Sequence, residues 1–265
     1  MIGIVIPAHN EAALIARCLS SVFAAARDAE LHDEAVMVTV VLDACSDDTG
    51  SIALRSGARV SAVSGRNVGI ARAAGAKACL DAGVRWLAFT DADSEVAEDW
   101  LVQQLRCGAD AVCGTVGVRD WGDYGSAMCQ HYANTYTDAD GHGHIHGANM
   151  GVSARAYRIA GGFPPLASSE DVALVQALQA TGANIAWSAR AKVWTSARKD
   201  FRAQGGFGAT LMRVDDDARA TAAKNVVVTG ARLAGGAFPD PEKNHDRSLP
   251  HRLVNQPSRH STTAA

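Results

Sequence analysis

The feature that most restricts this chain is an alternation. Over residues 1–118, short apolar runs alternate with stretches of helical periodicity. Gly3-Ile4-Val5-Ile6 is closed by Pro7 and reads as a buried strand. Leu14, Ile15, Cys18, Leu19, Val22 and Phe23 then recur at helical spacing, which predicts an amphipathic helix over 11–27. The β-branched run 36–42 predicts a second strand, and Asp47 leads a helix that Gly57 ends. A third strand is expected at 59–63, a loop at 65–69 and an Ala-rich helix at 70–82 stopped by Gly83. A fourth strand at 85–90, a helix at 97–107 and a fifth strand at 110–118 complete the series. Such alternation specifies a parallel sheet covered by helices on both faces.

In sheets of this kind ligands bind beyond the C-terminal ends of the strands. The polar clusters of this region fall at such ends: His9-Asn10-Glu11, Asp43, Arg66-Asn67 and Asp91-Asp93. Unrelated solvated turns would fall at both ends of the sheet. The Asp91-Ala92-Asp93 turn is the most pointed case. An apolar run, Trp86-Leu87-Ala88-Phe89, ends in two like charges that repel unless something positive lies between them. The turn reads either as a solvated lead-in to the helix near Val96 or as half of a metal site.

Beyond residue 118 the alternation stops. Residues 120–140 are polar and aromatic, 145–153 are expected to be extended, and a short helix ends at Gly161-Gly162. Ser168-Ser169-Glu170-Asp171 opens a helix to residue 180, short strands follow at 185–189 and 191–195, and a helix is expected at 201–214. From Gly235 onward Pro, His, Ser and Arg dominate, which predicts a poorly ordered tail. The formal net charge of −3 offers no basic field for nucleic acid, so an anionic ligand needs local devices. No segment has the ~18 consecutive apolar residues of a membrane span. The N-terminus reaches Pro7 and Glu11 too early for a signal peptide, and the six cysteines form no CxxC pair, so a cytoplasmic protein is expected.

The turn after the first strand holds Pro-Ala-His-Asn-Glu and neither G-x-G-x-x-G nor a P-loop, which argues against a dinucleotide-dependent dehydrogenase and a P-loop ATPase. Instead, IVIPAHNEAALIARCLSSV resembles the opening of family 2 glycosyltransferases. VLDACSDDT at 41–49 is similar to their V-D-D-G-S-x-D-x-T segment, and Asn67-Val68-Gly69-Ile70-Ala71-Arg72 to their N-x-G-x-x-x-A-R segment. Thr90-Asp91-Ala92-Asp93 resembles the D-x-D motif. His146-Gly147-Ala148-Asn149-Met150, Gly161-Gly162-Phe163 and Glu170-Asp171 resemble the acceptor-side loop, the GGF turn and the E-D motif. The ordered set spans about residues 2–200, with departures at Leu42, Ala44, Cys45 and Ala73. The histidine expected after the last core strand is absent, and Val193-Trp194-Thr195-Ser196-Ala197-Arg198 stands there.

The resemblance implies an α/β, GT-A-like fold: a mostly parallel sheet flanked by helices. A nucleotide-binding half (1–118) would run on into an acceptor half (119–215), with an extension at 216–265. It implies an inverting transferase that takes a nucleoside-diphosphate sugar as donor and Mg²⁺ or Mn²⁺ as cofactor. Asp93 would ligate the metal, and Asp91 would hold the ribose or a water on the metal. Pro7, His9, Asn10, Glu11, Asp43, Asn67 and Arg72 would receive the nucleotide, and His146, Gly147, Ala148 and Asn149 the sugar or acceptor. Asp171 would be the general base, with Glu170 positioning it. The helix N-terminus there favours the ionised carboxylate that a base needs. His142, His144 and His146 alternate and would share one face of a strand, as zinc ligands can, but the flanking glycines favour a loop gating the sugar or acceptor. A sugar-1-phosphate nucleotidyltransferase would need a G-x-G-T-R loop, which is absent, and a non-catalytic sugar-nucleotide binder would need no Glu170-Asp171.

Overall fold

The computed structural model describes residues 1–199 together with Gly208, Leu211, Met212, Val214 and Asp215. The chain divides into two compact units, 1–221 and 222–265, and the described residues all lie in the first. Its strands are β1 (Ile2–Ala8), β2 (Val36–Asp43), β3 (Arg59–Val63), β4 (Trp86–Phe89), β5 (Ser94–Val96), β6 (Ala111–Val118), β7 (Met150–Ser153) and β8 (Ile185–Thr195). Its α-helices are α1 (Ile15–Ala25), α2 (Thr49–Arg55), α3 (Val68–Asp81), α4 (Trp100–Arg106), α5 (Ser126–Thr135), α6 (Ala154–Ile159) and α7 (Glu170–Ala180).

The strands form one eight-stranded sheet in the order β3-β2-β1-β4-β7-β6-β8-β5. The first four, β3, β2, β1 and β4, are mutually parallel, as the alternation predicts. The sheet is not parallel throughout: β7 runs antiparallel to both β4 and β6, and β5 antiparallel to β8. Strands late in the sequence are thus interleaved with early ones, β7 between β4 and β6, and β8 between β6 and β5.

Side chains alternate across β1 as they must on a pleated strand. Ile2, Ile4 and Ile6 enter the core on the α1 side with Ile15, Leu19 and Val22. Val5 enters the opposite core with Ala71, Ala76 and Cys79 of α3 and Leu174 and Leu178 of α7. Gly75 lets α3 lie close on the sheet, because a Cβ there would come within 2.4 Å of Val5. The cysteines are all free thiols, with Cys18, Cys79 and Cys113 buried.

Three expected boundaries shift. The residues after Asp93 form β5 before the helix begins, because Ser94–Val96 pairs with Val193–Thr195 of β8. The extended run expected from 145 reduces to β7, since Asn149 N–H donates to the His146 carbonyl (2.9 Å) and folds the segment into a turn. The two strands expected at 185–195 are one strand, β8, with a register shift opposite Gly114 and Thr115. Of the helix expected at 201–214, the described residues Gly208, Leu211, Met212 and Val214 are helical. The rest of it, and the tail expected from 235, lie outside the described residues.

Candidate active site

A cavity of about 780 Å³ opens at the C-terminal ends of β1, β2 and β4. One side is lined by Pro7, His9, Glu11, Asp43, Asn67 and Arg72, which the strand ends and the start of α3 supply. Asp91 and Asp93, called its floor below, line it together with His146, Gly147, Ala148, Glu170 and Asp171 on the α7 side and the more apolar Tyr132, Tyr136, Leu211 and Val214. The structure therefore gathers most of the residues that the sequence singles out.

Two of them do not reach it. Asn149 is fully buried, and its amide clamps three elements. Its Oδ1 accepts from Trp100 Nε1 (2.9 Å), and its Nδ2 donates to the carbonyls of Thr115 and Ala191, each at 2.7 Å. Placing it on the sugar or acceptor is corrected accordingly: its polar atoms are committed to the core. Asn10 does not line the cavity either; its Oδ1 accepts from Ser46 N–H (2.8 Å) and braces the loop after β2.

At the ends of β1 and β2, the Asp43 carboxylate accepts from the backbone N–H of Arg66 (2.7 Å) and Asn67 (2.5 Å). It thereby fixes the approach to α3, whose first turn Asn67 caps through Oδ1 to Ile70 N–H (3.0 Å). His9 Nδ1 donates to the Asp43 carbonyl (2.6 Å), which turns the imidazole toward the cavity edge. Asp47, expected to lead α2, accepts from Thr49 N–H and, through its other oxygen, from Ala12 N–H, both at 3.0 Å.

The floor is a network of charges. Arg72 is buried and spans two acids: one nitrogen meets Asp91 (2.5 Å) and the other pairs with the buried Glu170. Gly147 packs against the same guanidinium, where a Cβ would lie 2.3 Å from Nη1. A second arginine, Arg198, makes a two-pronged pair with Glu11 (2.5 and 2.6 Å) and lies 3.2 Å from Asp93. Burial and the adjacent Asp91 push the Asp93 carboxyl up to about 6, while Arg198 pulls it the other way. In the sequence, Arg198 stands out only as part of the segment 193–198 found where a histidine is expected. Nothing local in its own segment ties it to Asp93, 105 positions earlier by residue number.

On the α7 side, Ser169 takes a left-handed conformation (φ 62°) that swings the chain into α7. Asp171 Oδ2 accepts from Gly147 N–H (2.7 Å), and Oδ1 from Val172 N–H (2.8 Å). His144 and His146 stack with Tyr136 and His142 stacks on His144: His144 lies 4.2 Å from the Tyr136 ring and 5.2 Å from His142, centroid to centroid. His142 Nε2 donates to the Cys113 carbonyl (3.1 Å) while its Nδ1 accepts from His144 N–H (2.8 Å). Tyr136 Oη is 3.0 Å from His146 Nε2, and burial pushes His146 down to about 4, with His144 and His142 adding to the effect.

The family model described as "Glycosyl transferase family 2" matches residues 3–159. The chain belongs to glycosyl transferase family 2. No curated protein matches it. Among solved structures, Staphylococcus aureus TarS residues 1–349 with UDP-GlcNAc is similar at a TM-score of 0.57 and 16% identity, over 82% of this chain and 66% of that one. The mannosyltransferase PcManGT of Pyrobaculum calidifontis, solved with GDP-Man and Mn²⁺, aligns at 0.55 and 18%, over 88% and 80%. Glucosyl-3-phosphoglycerate synthase of Mycobacterium tuberculosis, solved with Mn²⁺, UDP and glucosyl-3-phosphoglycerate, aligns at 0.50 and 20%, over 76% and 72%. The chain spans about two thirds or less of the length of the TarS chains it matches. The GT-A-like fold expected from the sequence is the one observed. No helix among the described residues is long and apolar enough to cross a membrane.

The donor set bears on the metal that the family implies. Among the described residues, no three His, Cys, Asp or Glu side chains gather to hold a metal ion. Asp91 and Asp93 nevertheless present hard carboxylate oxygens at one cavity floor. That set fits Mg²⁺ or Mn²⁺ arriving with a diphosphate, since such ions are commonly held by one or two carboxylates plus substrate phosphates.

Proposed function

We propose that this family member is an inverting glycosyltransferase that moves a sugar from a nucleoside diphosphate to an acceptor hydroxyl. The observation that carries the reading is the placement of Asp171. It lines the same cavity as the Asp91-Ala92-Asp93 floor, held in place by the Gly147 N–H. A diphosphate over the floor would leave the sugar between the two, with the anomeric carbon open to attack from the Asp171 side. Asp171 accepts the acceptor's proton as its oxygen bonds to the anomeric carbon, and the bond to the diphosphate oxygen breaks on the opposite face. The configuration inverts.

Residues 1–118 would supply the nucleotide side and 119–215 the acceptor side. Pro7, His9, Asp43 and Asn67 would enclose the base and ribose. Asp93 would hold Mg²⁺ or Mn²⁺, which when bound would carry part of the charge growing on the departing diphosphate. The buried Arg72–Glu170 pair connects the start of α7 to Asp91 and so sets the base relative to the floor. Manganese and sugar nucleotides in the similar mannosyltransferase, and the carboxylate floor here, support this reading.

The test is a pair of variants. Asp171→Asn keeps the shape and removes the basicity. Turnover, or slow donor hydrolysis, should fall by about 10²–10⁴-fold with donor Kd unchanged. Asp93→Ala should weaken nucleoside diphosphate binding in Mn²⁺ but little in EDTA. A product that keeps the donor's anomeric configuration, or an Asp171→Asn enzyme of normal kcat, would overturn the mechanism.

A further inference from the structure

We infer that Arg72 is a positioning residue for the transfer rather than a ligand of the nucleotide: it fixes the Asp171 carboxylate by two routes, through Glu170 and through Gly147. The inference rests on reading Asp171 as the general base.

The first route runs along the chain. Arg72 pairs with Glu170, which is 4% exposed and immediately precedes Asp171 at the start of α7. The second route is packing. A Cβ on Gly147 would lie 2.3 Å from Nη1, 2.4 Å from Cζ and 2.5 Å from Nη2, so this glycine rests on the face of the guanidinium. Its N–H donates to Asp171 Oδ2 (2.7 Å). One guanidinium therefore bears on Asp171 both from its backbone and from its carboxylate. The other nitrogen of Arg72 meets Asp91 (2.5 Å), which gives the base and the floor a common support.

The same contacts leave Arg72 little to offer a nucleotide. Its side chain is 4% exposed, both Nη atoms meet acids, and Nε is buried with no hydrogen-bond partner among the described residues. A buried donor left unpaired is costly, so its retention points to a guanidinium kept for where it sits. A reacting group displaced by about 1 Å can cost ~10²-fold in rate. Loss of Arg72 should therefore be felt in kcat and not in the affinity for a nucleoside diphosphate.

The experiment compares wild type with Arg72→Lys and with Arg72→Met/Glu170→Gln, each with and without Asp171→Asn. Lysine keeps the charge but lacks the planar fork that meets two acids at once. The double variant guards against misfolding, since it leaves no unpaired charge at Glu170. Hydrolysis is followed with UDP-GlcNAc and GDP-Man, the sugar nucleotides held by the similar TarS and PcManGT structures. In both variants kcat should fall by about 10²-fold, with calorimetric Kd for UDP and GDP in Mn²⁺ as in wild type. With Asp171→Asn already present, the same substitutions should lower kcat no further, which general structural damage would do. The amide resonance of Gly147 reads the contact without turnover. Asp171→Asn should shift it, each Arg72 variant should shift it in the same direction, and the combination should add little. UDP or GDP affinity that falls as far as kcat makes Arg72 a nucleotide ligand and overturns the inference. A kcat loss that persists in full beside Asp171→Asn, or a Gly147 resonance unmoved by the Arg72 variants, overturns it as well. A normal kcat in Asp171→Asn removes the general base instead, and the Gly147 resonance still decides whether Arg72 holds that carboxylate. If wild type hydrolyses neither sugar nucleotide, nucleotide affinity and the Gly147 resonance decide.

Discussion

A buried arginine sets the terms at the residue scale. Arg72 is 4% exposed and holds Glu170, also 4% exposed, so each is the other's means of staying charged in the core. Removing one partner of such a pair costs more than removing both. Arg72→Met should destabilise the protein by about 3–5 kcal/mol, and adding Glu170→Gln should recover much of it. Urea unfolding of the single and double variants checks this, and a single variant as stable as wild type would refute it. Sequence reading is least reliable at this scale. Asp171 and Asp93 could be singled out because their motifs are local, and both line the cavity. Asn149 sits in a motif too, but its role is fixed by Trp100, Thr115 and Ala191, which no spacing rule connects to it. Arg198 is invisible for the same reason: its partners, Glu11 and Asp93, are set by the β5–β8 pairing.

Elements meet at both ends of the sheet, with different chemistry at each. At the end away from the cavity, Glu34 joins three chain segments: the Met1 amino group at 2.8 Å and Arg85 at 2.6 and 2.8 Å, just before β1, β2 and β4. Hydrogen bonds from Arg85 lower the Glu34 carboxyl to about 2, against some burial. A carboxylate whose folded pKa is depressed stabilises above its unfolded value, near 4.3, and loses that contribution as pH falls toward the folded one. Stability should therefore decline between about pH 4 and pH 2 partly through Glu34, and Glu34→Gln should flatten that part of the profile. Chemical denaturation across this window provides the check. At the cavity end, α3 starts against the loop before α7: Gly69 N–H donates to the Leu166 carbonyl (3.1 Å). A Cβ on Gly69 would lie 2.2 Å from the Pro164 carbonyl oxygen, which is backbone and cannot rotate away. Gly69→Ala should cost about 1–3 kcal/mol, read as a lowered thermal midpoint. The parallel strands and α3 could be anticipated because burial on both faces leaves long apolar runs. The three-residue β5 could not, since Ser94–Val96 becomes a strand only by pairing with a distant partner.

At the largest scale, the described residues of the first unit form one sheet in which strands early and late in the sequence alternate. Strand β7 lies between β4 and β6, and β8 between β6 and β5. A fragment of residues 1–118 would keep β1 to β4 paired but strand β6 and β5 without their neighbours. It should fail to give a cooperative thermal transition or dispersed amide resonances, whereas residues 1–221 should give both; a cooperatively folded 1–118 would contradict this. Family members that differ in donor or acceptor are tempting sources for recombination at residue 118. Such a graft would have to reproduce, from a foreign sequence, the hydrogen-bonding register of β7 against two strands and of β8 against two more. New specificities in this lineage are therefore to be sought in the segments outside the ladder, such as 120–146 and 160–169, which can be rewritten without re-threading the sheet.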